Sequence, residues 1–187
     1  IPASGSVSFY LRMFNAEHGS SVPSSFTLSA SAVTSDWEEG FGLDMEGYKD
    51  ITRDGVGSSW TDTKTGGNWS RPGGDYDYDG TKSCFEQTFT KGTEDLEIDV
   101  TTLVEQWMHS GGNVLGDKSS ARYGIGLFLT GTQEGKYDST EQTNGRLHNP
   151  TGSVRSYYTK RFFSRTSEFF FKRPILEARW DSAEKEN

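Results

Sequence analysis

Apolar and polar residues alternate along most of the chain, which is the pattern of β-strands that bury one face. In the first such stretch, SGSVSFYLRMFNAE, one face carries Val7, Phe9, Leu11 and Met13. The same alternation predicts strands in SSFTLSASAV, CFEQTFTKG, EDLEIDV, RYGIGLFLTG, GSVRSYYTKRFFSR and RPILEARW. Short strands separated by glycine-rich turns predict an all-β fold, an antiparallel β-sandwich that is jelly-roll-like.

One segment has the spacing of a helix instead. In TTLVEQWMHSGG the apolar residues recur every three or four positions as far as Trp107. Thr101 or Thr102 can cap the start, and the pair Gly111-Gly112 can end it. We therefore expect one short helix near residues 101–108.

The inward-facing positions of these elements predict the core. Six residues are expected to be buried: Phe9, Leu11, Ile98, Trp107, Leu127 and Trp180. Three consecutive phenylalanines, Phe169 to Phe171, cannot all enter that core if they lie in a strand, because successive side chains point to opposite faces. At least one of them then needs a cover from a loop of this chain or from a neighbouring subunit.

The composition favours a single domain. The chain has 187 residues, which is enough for a core of its own. Its 22 glycines, 12 phenylalanines, 8 tyrosines and 5 tryptophans favour short strands and many turns over helices. No linker divides the chain, so residues 1–187 are expected to form one β-sandwich domain. The start at Ile1 and the charged end SAEKEN lead us to expect a fragment of a longer chain.

The charge argues against two classes of partner. With 27 acidic and 19 basic residues the net charge is −8, so neither nucleic acid nor an anionic membrane surface is an expected partner. No apolar stretch approaches the ~18 residues of a membrane span. Cys84 is the single cysteine, so no internal disulfide can form, and we interpret it as a buried, inert thiol.

Residues 36–80 form a long stretch rich in Gly, Asp, Ser and Trp. A loop of this length is usually functional or folded on itself. Three tryptophans are expected to anchor it: Trp37, Trp60 and Trp69. Glu38 and Glu39 lie beside Trp37, and an aromatic ring next to carboxylates is how proteins grip sugars. In the alternative interpretation, Trp37 packs under the loop and the acidic residues face water.

The segment GGDYDYDGTKSCFEQ has the spacing of a calcium loop, D-x-D-x-D-G-x5-E, through Asp75, Asp77, Asp79 and Glu86. Its flanks do not fit an EF-hand, which needs a helix on each side. The upstream TGGNWSRPGG contains a proline and several glycines, and the downstream CFEQTFTKG predicts a strand. We interpret the segment as an acidic surface loop with solvated carboxylates and expect no cofactor. A Ca²⁺ ion in an irregular loop is the alternative.

The motifs of the common enzyme classes are missing from the sequence. The three histidines have no metal-ligand spacing, and no G-x-S-x-G motif supports a serine hydrolase. Abundant carboxylates leave a glycosidase pair open, without a motif that favours one. The sequence therefore predicts a protein that is not an enzyme.

The order of several motifs resembles a known family. These are DWEEGFGLDMEGYKD, GSSWTD, NWSRPGGDYD, FTKGTEDLEIDVTTLVEQW, YGIGLFL and KRFFSRTSEFFFKRPILEARWDS. Together they resemble the DNRLRE-type, disaggregatase-related β-sandwich modules, which include carbohydrate-binding modules and virion proteins of tailed bacteriophages. The last motif is similar to the phage structural proteins. Within it, an Arg165–Glu168 pair is expected to hold a loop across a sheet edge, and Arg173 to contact the acidic WEEG segment.

The resemblance implies a non-catalytic structural protein of a tailed-phage virion, such as a capsid decoration, collar or tail-fibre component. It would be assembled in the host cytoplasm, contact other virion proteins and form a homo-oligomer or multi-copy array. The alternative is a carbohydrate-binding module of an extracellular protein that binds host surface glycans. The candidate binding residues for these contacts are Trp37, Glu38, Glu39, Trp60, Trp69, Phe169 and Phe171.

Overall fold

The computed structural model describes residues 6–19, 22–39, 57–59, 62–71, 73–77, 84–108, 123–134, 137–138, 148–149, 151–153 and 160–181. The strands are β1 Val7–Met13, β2 Phe26–Ala32, β3 Asp62–Lys64, β4 Gly67–Asn68, β5 Cys84–Phe89, β6 Leu96–Asp99, β7 Ile125–Leu129, β8 Tyr137–Asp138, β9 His148–Asn149 and β10 Ile175–Trp180. A helix, α1, spans Thr101–Met108, and a 3₁₀ helix spans Phe170–Lys172. Within this described part of the chain, no helix is long and apolar enough to cross a membrane.

Two three-stranded antiparallel sheets form the body of the protein. The first sheet has the order β10-β1-β6, and the second has the order β5-β2-β7. The pairs β3-β4 and β8-β9 are separate two-stranded units. The all-β, antiparallel, sandwich-like fold with one short helix is therefore confirmed, and jelly-roll connectivity stays a prediction.

The core lies between the two sheets. Its buried residues come from β2, β5, β6 and the start of α1: Phe26, Leu28, Ala30, Phe89, Leu96, Ile98, Val100 and Val104. Phe26 and Phe89 stack nearly parallel with ring centroids 4.9 Å apart. Ile98 is buried as predicted, and four other predicted core residues are partly buried against this cluster: Phe9, Leu11, Trp107 and Leu127.

The prediction that Trp180 is buried is wrong. Trp180 pairs with Val7, and Ala178 pairs with Phe9, so the alternation places both on the core-facing side of the first sheet. Yet Trp180 is 56% exposed and Leu176 is 48% exposed. β10 is the edge strand, and these exposures show that the second sheet does not extend over it.

Helix α1 has the predicted bounds, but its first turn is capped by a different residue. The Thr101 hydroxyl accepts the backbone N–H of Phe9 at 2.7 Å and donates to Asp99 Oδ1 at 2.6 Å, so it serves the sheet. Asp99 Oδ1 also accepts the N–H of Thr101 at 2.9 Å. A carboxylate at this end also suits the partial positive charge of the helix start.

The predicted strand in GSVRSYYTKRFFSR is not formed in its described part. Residues 160–165 make a single antiparallel bridge, between Phe162 and Asn15, and residues 154–159 lie outside the described residues. Phe169 to Phe171 are also not in a strand, because the chain turns there into the 3₁₀ helix. Pro174, which lacks an N–H and restricts the residue before it, follows this turn and directly precedes β10.

Candidate functional site

A group of aromatic side chains lies on the surface, in the segment that directly precedes β10. We call Phe163, Phe169, Phe170 and Phe171 the phenylalanine cluster. Phe169 is 54% exposed, Phe170 66% and Phe171 86%. Large apolar side chains at this exposure, next to one another, are uncommon on a free surface and mark sites of interaction.

The phenylalanine cluster is held in place by its own loop. The N–H of Lys172 donates to the carbonyl of Phe169 at 2.9 Å, which closes the 3₁₀ turn. Arg173 Nε donates to the carbonyl of Ser167 at 2.9 Å, and the Arg173 guanidinium lies 5.2 Å from the centre of the Phe170 ring. Because the loop is closed by these contacts, the rings project from a defined backbone.

The rings also contact one another edge to face. Phe163 and Phe169 have centroids 5.6 Å apart at 73°, and Phe170 and Phe171 have centroids 5.5 Å apart at 82°. Lys172 Nζ lies 5.0 Å from the centre of the Phe163 ring. Edge-to-face pairs and cation–π contacts each contribute on the order of 0.5–1.5 kcal/mol, so they favour this arrangement over a dispersed one.

Lys160 anchors the segment that carries the cluster. Its Nζ donates to Asn15 Oδ1 at 2.7 Å, to the carbonyl of Gly92 at 3.0 Å and to the carbonyl of Glu94 at 2.6 Å. The same ammonium lies 4.8 Å from the centre of the Phe89 ring. Burial lowers the pKa of Lys160, while the charges of Glu94 and Asp95 oppose that effect. This role was not predictable from the sequence, because two of the partners are backbone carbonyls and all three are distant in sequence.

Arg165 joins this segment to the acidic loop that follows β2. Its Nε donates to Glu39 Oε1 at 2.8 Å and its Nη2 to Glu39 Oε2 at 2.7 Å. Two expectations from the sequence are wrong: Arg165 pairs with Glu39 where Glu168 is the expected partner, and Arg173 contacts Ser167 where the WEEG segment is expected. Since Arg173 is committed to Ser167 and Phe170, the contact with this acidic segment belongs to Arg165.

Trp37 marks a second candidate surface, where its indole contacts the backbone of a residue that the sequence did not suggest. The Trp37 indole N–H donates to the carbonyl of Tyr123 at 2.7 Å, and both side chains are 40% exposed. Glu38 is exposed beside them, with its backbone held by Thr63 and Ser58. An indole whose N–H is satisfied and whose ring is partly exposed can stack on a ligand.

Trp69, another tryptophan of the loop, does not extend this surface. Trp69 is 7% exposed, and its indole N–H donates to the carbonyl of Ser59 at 2.9 Å. It anchors the loop, as expected, and its ring is not available to a partner. Trp60 lies outside the described residues.

Asp75, the first residue of the calcium-loop pattern, is used by the loop itself. Asp75 Oδ2 accepts the N–H of Ser70 at 3.0 Å and the hydroxyl of Ser35 at 2.8 Å, and Oδ1 accepts the N–H of Arg71 at 3.0 Å. Burial alone raises the pKa of Asp75, but the donors from Ser70, Ser35 and Arg71 outweigh it and lower the pKa below 3.8. The buried carboxylate therefore serves as an internal acceptor that fixes residues 70–71 against residue 35.

Asp77 and Glu86, two other residues of that pattern, contact β2 through separate hydrogen bonds. The Asp77 backbone pairs with β2, since its N–H donates to the carbonyl of Ala32 at 3.0 Å. Glu86 is exposed on β5 and accepts the Ser29 hydroxyl at 3.3 Å, and Asp79 lies outside the described residues. Among the described residues, no three His, Cys, Asp or Glu side chains are grouped so that they could hold a metal ion.

Cys84, the single cysteine, is half-buried at the start of β5, where the expected position was buried. Burial raises the pKa of its thiol, and the charges of Glu86 and Asp77 raise it further. A raised pKa keeps the sulfur in the unreactive thiol form, which agrees with the interpretation of Cys84 as inert.

Comparison of the chain with models of protein families, with curated proteins and with solved structures found no match. The functional argument therefore depends on the surfaces described above.

Proposed function

We propose that the protein is a non-catalytic contact module that holds neighbouring chains in a multi-copy assembly. The observation that carries this proposal is the exposure of Phe169, Phe170 and Phe171, which together present roughly 400 Å² of aromatic surface. This is as large as the largest apolar patch of a typical monomer, and such patches are often functional. A second chain that covers these rings would stabilise the complex by about 25 cal/mol for each Å² of apolar surface removed from water.

The charge around the cluster favours a protein partner with an acidic or neutral surface. The chain carries a net charge of −8, yet two consecutive basic residues lie at the end of the 3₁₀ helix: Lys172 and Arg173. Aromatic residues together with arginine are typical of the energetically important centre of an interface. We propose a tailed-phage virion as the assembly, because the motif that contains this cluster resembles phage structural proteins.

A pair of substitutions tests the contact surface. Phe170→Ser together with Phe171→Ser removes the most exposed rings while it leaves the core untouched. We expect the variant to fold as the parent does, judged by its melting temperature, and to be lost from purified particles of the phage that encodes it. Trp37→Ala is the matched control on the other aromatic surface and should be incorporated normally. Normal incorporation of the double variant would contradict the proposal.

Glycan binding is the second candidate function, and the Trp37–Tyr123 surface supports it. An open indole with Glu38 beside it has the chemistry that stacks on a sugar ring and accepts its hydroxyl hydrogens. The test is a glycan array with the purified chain. Tight binding that Trp37→Ala abolishes and the double phenylalanine variant keeps would establish this function in place of the contact module.

A further inference from the structure

The open edge of β10 carries both unused backbone groups and exposed apolar side chains. Phe9 in β1 directs both of its backbone groups toward β6: its N–H donates to Thr101 and its carbonyl accepts the N–H of Val100 at 2.8 Å. Neighbouring residues of a strand alternate in direction, so Ser8, Tyr10 and Arg12 bond to β10. Their partners in the register are Arg179, Glu177 and Ile175.

It follows that the backbone N–H and carbonyl groups of Leu176, Ala178 and Trp180 point away from β1, toward the free edge. Among the described residues, no hydrogen bond occupies these groups. The same three side chains face the core side of the sheet, and all three are exposed. An edge strand with free backbone groups and apolar side chains is a template for pairing with another strand.

At the opposite edge of the same sheet, a side chain occupies the backbone groups of β6. The two edges of this sheet therefore differ, and β10 is the edge that is open to another strand. On β6, the N–H of Glu97 donates to Gln87 Oε1 at 2.7 Å. Gln87 Nε2 in turn donates to the carbonyl of Asp95 at 2.8 Å. The Gln87 side chain thus occupies the edge of β6 and blocks strand addition there.

We propose that β10 pairs antiparallel with β10 of a second copy of this chain, about a two-fold axis at Ala178. In this register Ala178 lies opposite Ala178 of the second copy, and Leu176 lies opposite Trp180. Both free backbone groups of these three residues then form hydrogen bonds across the axis. On the outer face, Glu177 lies opposite Arg179 of the second copy, so opposite charges meet twice.

The charge pattern disfavours the neighbouring register that has its axis at Leu176. A two-fold axis at Leu176 would place Arg173 opposite Arg179 and Pro174 opposite Ala178, which combines like charges with a residue that has no N–H. A shift by one residue would turn the strand's bonded groups to the wrong side. The dimer joins two first sheets into one continuous sheet. This proposal rests on the contact-module function proposed above, with a second copy of the chain as one of the partners.

Sedimentation equilibrium of the purified chain tests the dimer. A single strand pair is a small interface, so we expect a weak dimer that forms between about 1 and 200 µM. Ala178→Pro removes the N–H at the axis but no bond to β1, and an edge strand tolerates such a proline. It should raise the dissociation constant at least about tenfold while it leaves the melting transition in place. Ala178→Ser keeps the N–H and is the matched control.

Cysteine cross-linking tests the register. In a Cys84→Ser background, Ala178→Cys should form a covalent dimer on oxidation, because residues at a bonded pair have Cα atoms about 5.5 Å apart. In this register a cysteine at position 176 lies four residues along the strand from its equivalent in the second copy, so Leu176→Cys should not form a covalent dimer. A wild-type chain that stays monomeric throughout the range, an Ala178→Pro variant that still dimerises, or Ala178→Cys without cross-linking would overturn the proposal. None of these results bears on whether Phe170 and Phe171 hold the chain in a particle, so the two proposals fail separately.

Discussion

Arg165 and Glu39 are 126 residues apart in sequence and form a two-point ion pair, with N–O distances of 2.8 and 2.7 Å. The pair links the loop after β2, which carries Trp37, to the segment that carries the phenylalanine cluster. The two candidate binding surfaces are therefore connected by one direct contact. The planar guanidinium provides two parallel donors, which a lysine cannot do.

The Arg165–Glu39 pair should contribute little to stability, because its side chains are 72% and 57% exposed. We expect Arg165→Ala to lower the free energy of unfolding by at most ~1 kcal/mol, with a smaller effect in high salt. A double-mutant cycle with Glu39→Gln, measured by urea unfolding, gives the coupling directly. A coupling energy above ~2 kcal/mol would show that solvent does not screen the pair as its exposure implies.

Asp75→Asn should destabilise the protein by about 1–3 kcal/mol. The amide retains one acceptor oxygen and replaces the other by a donor, which then faces the donors that Asp75 now satisfies. Asp36→Asn is the matched control, because the Asp36 carboxylate is exposed and meets Lys64 only at 3.4 Å. We expect a change below ~0.5 kcal/mol for it. Equal effects of the two substitutions in denaturant unfolding would contradict the role given to Asp75.

The contribution of Asp75 should depend on pH. Its pKa in the folded protein is below the ordinary value of 3.8, so the unfolded chain takes up the proton first as the pH falls. The contribution is therefore complete above about pH 5 and is lost as the pH falls through the folded pKa. Unfolding free energies measured between pH 7 and pH 2.5 should fall less steeply at the acid end for Asp75→Asn than for the parent. Parallel curves would contradict the lowered pKa.

Calcium should bind weakly or not at all to the segment with the calcium-loop spacing. The carboxylate of Asp75 is occupied by internal donors, and Glu86 lies on a strand that faces β2. Isothermal titration of the full chain should give no binding tighter than about 10⁻⁴ M, the weak extracellular range. Micromolar binding that is abolished by Asp77→Ala would show that the loop rearranges around the ion.

Trp107 and Trp180, which the sequence predicts to be buried, should differ strongly in their contribution to stability. Trp107 packs against the core cluster, and Trp107→Ala should cost about 3 kcal/mol. Trp180 is 56% exposed, and Trp180→Ala should cost less than about 1 kcal/mol at concentrations where the chain is monomeric. Denaturant melts of the two variants at submicromolar concentration, below the range in which the dimer forms, provide the comparison. Similar losses would place Trp180 in the core after all.

The sequence predicted the elements well where periodicity alone decides them. The strands around Val7, Phe26, Cys84 and Leu96 and the helix from Thr101 are present as expected. Alternation also placed Trp180 on the correct face. It could not show that the opposite sheet ends before β10, because the extent of a layer depends on residues elsewhere in the chain.

The candidate site was predictable only in part. The run Phe169 to Phe171 predicted that at least one of these rings lies outside the core, and all three are exposed. They lie at a 3₁₀ helix and not in a strand. The partner of Arg165 was not predictable, because nothing in the local sequence indicates which distant acidic residue an arginine will meet. Tyr123 joins Trp37 through its backbone carbonyl, an acceptor that every residue has and that leaves no trace in the sequence.

The contact-module account is tested most directly by a reconstruction of the intact particle that contains this chain. The account predicts multiple copies, with Phe170 and Phe171 of each copy buried against another protein chain. A reconstruction in which these rings face solvent in every copy, or purified particles that lack the chain, would contradict it.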